Sequence, residues 1–277
     1  MHGKPQVLIV GCGGIGGVIA TRMAHGETAS VHILSTNIHI ADAVRANGLH
    51  LSGVGGNASA AVHVHTEPPD EKFDFVLLAT QPPQVEDAAQ SVLSTMHESS
   101  RMVVLQNGLC ESRIAKICGE ERAVGGIVTF GASTNGPGKI ERTSTGGILL
   151  GRLDGKPDPQ LDILASVLAP VGPIEQTTNL MGARFSKLAL NCAVSGLGTV
   201  AGVRLGTLLS SAKARNIALG VMREVVAVSQ AEAVQLEAVG GTFDLNWLAD
   251  PNAPDSGPSH WSRHAMLMAV GFKYRKL

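Results

Sequence analysis

Gln6-Val7-Leu8-Ile9-Val10-Gly11-Cys12-Gly13-Gly14-Ile15-Gly16-Gly17 is the stretch on which the fold turns. Gln6–Val10 is an apolar run closed by glycine, which reads as a parallel strand buried on both faces. Gly14–His25 then shows helical spacing. Between them Gly11, Gly13 and Gly16 fit Gly-x-Gly-x-x-Gly, and each glycine has its own reason. Gly11 permits the tight turn, Gly13 lets backbone approach a pyrophosphate, and Gly16 lets helix pack close to strand. The helix start offers free N–H groups and a positive dipole end to phosphates. Alone the motif is weak, and a plain strand–helix turn is its competing reading. Ten residues from the N-terminus, between an apolar strand and an apolar helix, it predicts a dinucleotide-binding turn.

The reading extends outward. Residues 31–34 form a second strand. An acidic residue at its end would hold the ribose hydroxyls of NAD, but this chain has Ser35-Thr36-Asn37. No acid repels a 2′-phosphate there and three polar groups can bond it, which favours NADP over NAD, although no arginine is at hand to secure it. Residues 41–46 read as a short helix, 61–66 alternate, 73–79 form a strongly apolar strand, and 82–96 read as a helix with proline near its start. Residues 102–105 are a further strand closed by Asn107-Gly108. Strands alternating with helices imply a parallel sheet with helices on both faces. Beyond Glu120, residues 123–130, 139–143 and 148–150 read as short strands, 161–168 as a helix and 174–176 as a last strand. From Leu180 the texture is helical, over 183–200 and 212–237. The expectation is therefore an α/β chain in two parts, a Rossmann-type dinucleotide-binding domain over 1–178 and an all-α domain over 179–277.

Composition narrows the function classes. The chain has 277 residues, 44% hydrophobic and 16% charged, with a formal net charge of −1. That suffices for buried cores and argues against disorder. Near-neutral charge and only 3% aromatic residues argue against nucleic-acid binding. Cys12, Cys110, Cys118 and Cys192 have neither C-x-x-C spacing nor a histidine at zinc-finger spacing, and read as reduced thiols. Lys4 before an apolar run superficially resembles a signal peptide, but five glycines between residues 7 and 20 fit strand–loop–helix better. The uncharged stretch 188–203 holds Asn191, Ser195 and three glycines, short of the ~20 apolar residues of a membrane span. A cytoplasmic protein without a membrane segment is expected.

Lys187, Asn191 and Ser195 recur at four-residue spacing and lie along one helix face. Their neighbours are apolar, and a lysine buried there unpaired would be costly. The stripe is therefore either a solvated face or the lining of a cleft. In a cleft, a lysine whose pKa falls toward neutrality suits a general acid. His63 and His65 alternate on one face of residues 61–66 and form a metal pair only if a third ligand exists, and none is evident locally, so an exposed strand face is the favoured reading. His260 and His264 are one turn apart without a metalloprotease glutamate between them. Lys273, Arg275 and Lys276 read as a solvated basic end, and 250–258 as a surface loop.

Four blocks together resemble the ketopantoate reductase family along nearly the whole chain. They are Gly11 to Gly16, then Leu77-Leu78-Ala79-Thr80-Gln81 with Gln84, then Leu105-Gln106-Asn107-Gly108 leading to Gly131-Ala132 and Gly136-Pro137-Gly138, and Lys187-Leu188-Ala189-Leu190-Asn191-Cys192. The resemblance implies a Rossmann-type domain joined to a helical domain like that of 6-phosphogluconate dehydrogenase, with the active site in the cleft between them. It implies reduction of ketopantoate to pantoate with NADPH, on the route to pantothenate and coenzyme A. Carried over by position, Lys187 matches the catalytic lysine, and Asn191 and Ser195 match substrate-binding positions. Asn107 matches the asparagine that touches both cofactor and substrate, and Ala132 matches a cofactor-contacting alanine. Gly11, Cys12, Gly13, Gly14, Ile15, Gly16, Ser35, Thr36, Asn37 and Gln81 complete the cofactor set. No metal is expected.

The departures are specific. Ser195 stands where the family often has a second asparagine, Gln81 where it usually has lysine, and Asn37 where many members carry arginine. Leu205 occupies a position polar in some members. After Tyr274-Arg275-Lys276-Leu277 the family would continue with Ser-Ser-Met and a glutamate, so a shortened helical domain is part of the expectation. Two alternatives follow: a reductase of another small branched 2-keto acid, or a catalytically impaired dinucleotide-binding protein. Helical second domains of this kind often pair, which makes a homodimer the expected assembly.

Overall fold

The computed structural model describes residues 3–238, 244–254 and 256–273. It divides into two compact units, one up to Leu180 and one from Met181 on. The basic end at Lys273, Arg275 and Lys276 lies outside the described side chains, as does residue 255 of the 250–258 loop.

The first unit runs β1 (Gln6–Val10), α1 (Gly14–His25), β2 (Ser30–Leu34), α2 (Ile38–Asn47), β3 (Leu49–Gly53), β4 (Ala58–Ala60), β5 (His63–His65), β6 (Phe73–Leu78), α3 (Val85–Ser91), β7 (Met96–Val104), α4 (Glu111–Cys118), β8 (Ala123–Val128), β9 (Ala132–Thr134), β10 (Lys139–Arg142), β11 (Ile148–Arg152), α5 (Pro159–Leu168) and β12 (Ile174–Thr177). Within its eight-stranded sheet the order β5-β2-β1-β6-β7-β8 is parallel throughout. This is the doubly wound Rossmann order, with its switch point between β1 and β6. β11 continues the sheet antiparallel to β8, and β12 lies parallel beside β11.

β1 shows why its run is continuously apolar. Val7 and Ile9 enter one core with residues of α1 and α5, while Leu8 and Val10 enter the other with residues of α3 and α4. Helices thus cover both faces, as expected of a parallel sheet. A second sheet, β4-β3-β10-β9, packs over α1, where a Cβ on Gly17 would lie 2.5 Å from the Ile140 side chain.

Leu180 opens α6 (Leu180–Leu190), which passes into a π-helical turn at Asn191–Gly196 and then α7 (Leu197–Ala201). α8 (Leu205–Ser210), α9 (Ala212–Ala231), α10 (Leu245–Leu248) and α11 (Pro258–Lys273) complete the second unit. Ala189, Ala193, Leu219, Met222, Val226 and Leu267 are among its core residues. No helix among the described residues is long and apolar enough to cross a membrane.

Several boundaries depart from the sequence reading. The helix expected over 82–96 is α only at Val85–Ser91, flanked by 3-10 turns, and Met96 already begins β7. Polar residues in β7 concealed that strand. Ser100 holds it by donating from Oγ to the Phe73 carbonyl (2.6 Å) and accepting the His97 N–H (2.8 Å). The alternation at 61–66 yields a strand only at His63–His65. α4, β3 and β9 carried no periodicity that sequence reading used.

The helix expected over 212–237 stops at Ala231. Ala233 takes φ +54°, its N–H bonds the Gln230 carbonyl, and the Val234 N–H bonds the Ser229 carbonyl (2.8 Å). That is a Schellman stop with alanine where glycine is usual. Glu27 ends α1 the same way at φ +53°. Ala233→Gly is expected to raise stability by about 0.5–1 kcal/mol by removing the left-handed penalty, read as a higher urea midpoint at unchanged slope.

Candidate active site

The glycine turn occupies the C-terminal end of β1. Gly11 has φ +105°, and a Cβ there would lie 2.9 Å from the Ala79 carbonyl oxygen. A Cβ on Gly16 would run into the Gly11 carbonyl oxygen, and one on Gly14 would lie 2.8 Å from that of Ala132. These three glycines are required by the fold. Gly13 differs. It is exposed, its backbone is extended at φ −84° and ψ −164°, and a Cβ there would meet nothing within 4 Å. No protein atom covers this position, so its bare backbone is open to a ligand approaching from outside. α1 also starts without a side-chain cap, leaving its first N–H groups for a phosphate. The residues present therefore fit a dinucleotide. Cys12 is buried, and burial pushes its thiol up to about 11; only its backbone can serve a ligand. Ile15 packs partly buried against the core.

The neighbouring strand ends form the rest of the rim. Gly11 N–H donates to the Leu34 carbonyl (2.9 Å), Ala79 N–H to Val10 (2.8 Å) and Leu105 N–H to Leu78 (3.2 Å). After β2, Ser35 is buried and Thr36 exposed. Asn37 caps α2, its Oδ1 accepting from the His39 and Ile40 N–H groups. That oxygen is occupied by the fold itself. Gln81 is exposed before Pro82, and Asn107 is exposed beyond β7. Gln106, to which sequence reading gave no role, is buried and donates from Nε2 to the Thr80 carbonyl (3.0 Å). It ties the β6 and β7 loops together, so Gln81 and Asn107 sit on braced segments. Its only sequence signal was its place beside Asn107.

In the helical unit Lys187 and Asn191 are half-buried and Ser195 is exposed. Burial, reinforced by the Arg184 guanidinium one turn earlier, pushes the Lys187 ammonium down to about 8. Such a shift is the direction a poorly hydrated lysine takes. In an α-helix each four-residue step drifts by about 40°. The wider π turn from Asn191 to Gly196 reverses that drift, bringing Ser195 back toward the line of Lys187. Sequence reading expected one uninterrupted α-helix over 183–200. Ser195, Thr199, Arg204 and Leu205 line a recess beside this turn.

The histidine pair at 63 and 65 gains partners that local sequence did not reveal. In the β2–β5 register His63 pairs with His32 and His65 with Leu34. The His32 ring stacks on His63 at 4.4 Å, and its Nδ1 lies 3.0 Å from His65 Nε2 and 3.3 Å from Glu71 Oε2. Burial, aided by His63, pushes His32 down to about 4, and burial also lowers His65.

Comparison with known proteins follows from this geometry. The family model Ketopantoate reductase PanE/ApbA matches residues 7–155, and its C-terminal counterpart matches 179–246. The chain belongs to the ketopantoate reductase family. As a member it is an oxidoreductase with a Rossmann-like unit and a helical unit. A relative from Pyrococcus horikoshii described as 2-dehydropantoate 2-reductase is 27% identical over 222 residues, covering 79% of this chain and 71% of that one. The crystal structure of 2-dehydropantoate 2-reductase from Geobacter metallireducens GS-15 is similar at TM-score 0.77 and 22% identity, covering 97% of this chain and 92% of that one. The ternary structure of D-mandelate dehydrogenase with NADH and anilino(oxo)acetate is similar at TM-score 0.80 and 18% identity, covering 96% and 80%.

The glycine geometry separates ligand binding from folding. Gly13→Ala is expected to keep the melting temperature while weakening dinucleotide binding at least about tenfold. Gly16→Ala is expected to cost about 1–3 kcal/mol of stability or more through backbone collision. Calorimetric titration with NADPH beside thermal melts checks both.

Proposed function

We propose that the protein reduces 2-dehydropantoate (ketopantoate) to pantoate with NADPH, a step toward pantothenate and coenzyme A. The observation that carries this is Lys187, an ammonium held near pKa 8 at the head of the polar stripe with Asn191 and Ser195. An acid of that strength is protonated at neutral pH yet gives up its proton readily, as a general acid should. Family resemblance adds the roles by position. Gly11, Cys12, Gly13, Gly14, Ile15 and Gly16 would hold the pyrophosphate through backbone N–H groups, with Ser35, Thr36 and Asn37 toward the adenosine ribose and Gln81 and Ala132 beside them. When bound, the reduced nicotinamide supplies a hydride to the keto carbon. Lys187 protonates the keto oxygen, so a C=O bond becomes H–C–O–H and the lysine is left neutral. Asn107, Asn191 and Ser195 hold the substrate's other oxygens.

NADP as the cofactor rests on the absence of an acid at 35–37 and on the start of α2 beside those residues. A second reading, NAD with another small 2-keto acid, is favoured by Asn37, whose Oδ1 is spent on capping. The similarity to an NADH-bound D-mandelate dehydrogenase supports it too. The recess lined by Ser195 and Leu205 would then select the side chain. We place the activity in the cytoplasm, in keeping with free Cys12, Cys110, Cys118 and Cys192. Pairing into a homodimer would cover exposed Val200, Trp261 and Phe272.

Oxidation of NADPH and NADH at 340 nm with ketopantoate and with other branched 2-keto acids tests the proposal. Lys187→Ala is expected to lose on the order of 10²-fold or more in turnover. Unchanged turnover in that variant would sink the assignment. Protonated lysine is the donor, so kcat/KM for reduction is expected to be flat below about pH 8 and to fall about tenfold per unit above it. The reverse oxidation is expected to gain over the same interval.

A further inference from the structure

We propose that His32, His65 and Glu71 form a binding site for a divalent transition-metal ion of the zinc type at the β2–β5 edge of the sheet. The three come from separate elements. His32 lies in the middle of β2, His65 ends β5, and Glu71 stands two residues before β6. His32 Nδ1, His65 Nε2 and a Glu71 carboxylate oxygen all lie within 4.8 Å of one another. The two separations from His32 Nδ1, 3.0 Å and 3.3 Å, approach the spacing of tetrahedral ligands. Bonds of about 2.0–2.2 Å place such ligands about 3.3–3.5 Å apart.

The protein's own hydrogen bonding cannot engage all three groups at His32 Nδ1 at once. A neutral His32 carries one ring proton. With the proton on Nε2, Nδ1 accepts from His65 Nε2 and leaves Glu71 to solvent, whereas a cation at their centre engages all three. With Nδ1 on a metal, the proton lies on Nε2, which faces Ser30 Oγ at 3.3 Å. That is the outer contact a ligating imidazole needs to fix its tautomer and orientation. His32 is only 6% exposed and is further held by edge contact with Phe73 at 5.0 Å, so one ligand is rigid while Glu71 approaches from solvent. Two imidazoles and a carboxylate suit zinc and its neighbours rather than magnesium or calcium, which prefer oxygen. Three protein ligands leave a fourth position for water.

The site joins two segments that matter elsewhere. The His65 carbonyl accepts the Ser35 N–H at 3.0 Å, so the residue that would ligate also anchors the start of the β2–α2 loop. A bound ion would staple the β5–β6 connection to that loop. This inference is independent of the substrate and of the cofactor assignment.

The test uses the full chain without an affinity tag, stripped with chelator, incubated with Zn²⁺ and desalted. Expected are one zinc per chain by elemental analysis, a melting temperature raised by Zn²⁺ and not by Mg²⁺, and tetrahedral visible bands with Co²⁺. Glu71→Gln and His65→Gln remove partly exposed side chains and should leave the fold intact by circular dichroism. Each is expected to weaken zinc binding at least about tenfold, while His63→Gln, outside the ligand set, changes it little. No zinc retained by the parent chain, or equal retention and equal thermal shift in the Glu71→Gln, His65→Gln double variant, would overturn the proposal.

Discussion

At the end of β1 the main chain turns where it nearly touches other main chain. Gly11 passes against the Ala79 carbonyl, and Gly16 against the carbonyl of Gly11 itself. The layers over β1 depend on that approach. It sets α1 against the strand ends, and α1 in turn supports the second sheet through Gly17 and Ile140. The same turn leaves Gly13 exposed, where an added Cβ would meet nothing within 4 Å. A fold that needs Gly11 and Gly16 for packing thus presents bare backbone at Gly13 for a phosphate, and one tight turn serves both folding and binding.

The helical unit has a different governing quantity, the cost of removing an ammonium from water. Lys187 sits one turn after the buried Arg184, and desolvation with like-charge repulsion pushes its ammonium down to about 8. The π turn that follows brings Ser195 back toward its line. Local helical irregularity of this kind recurs where side chains must be re-aimed. The stripe is therefore a property of backbone winding as much as of residue spacing.

What could be read from sequence tracks how local the deciding physics is. β1 and α1 were legible to the residue because apolar period and glycine placement agree there. The parallel sheet with helices on both faces followed from strand–helix alternation, and the family from four short blocks. Residues 82–96 misled because one apolar pattern served two 3-10 turns, a short helix and the start of β7. The stop at Ala233 was hidden because it is not glycine. Lys187 could be placed on a stripe, but its burial could not be decided from periodicity. His32 was invisible as a partner of His65, since only strand register brings β2 and β5 side by side.

The central claim is that Lys187 is an acid tuned by burial, and the direct measurement is its own titration. Chain labelled with ¹³C at lysine Cε, with the Lys187 resonance assigned by its loss in Lys187→Arg, can be followed by NMR from pH 6 to 11 without substrate. A midpoint near 8, well apart from the other lysines, is the outcome this structure demands. A midpoint near 10.5 would mean a solvated side chain, and the proposed proton donor would be lost with it.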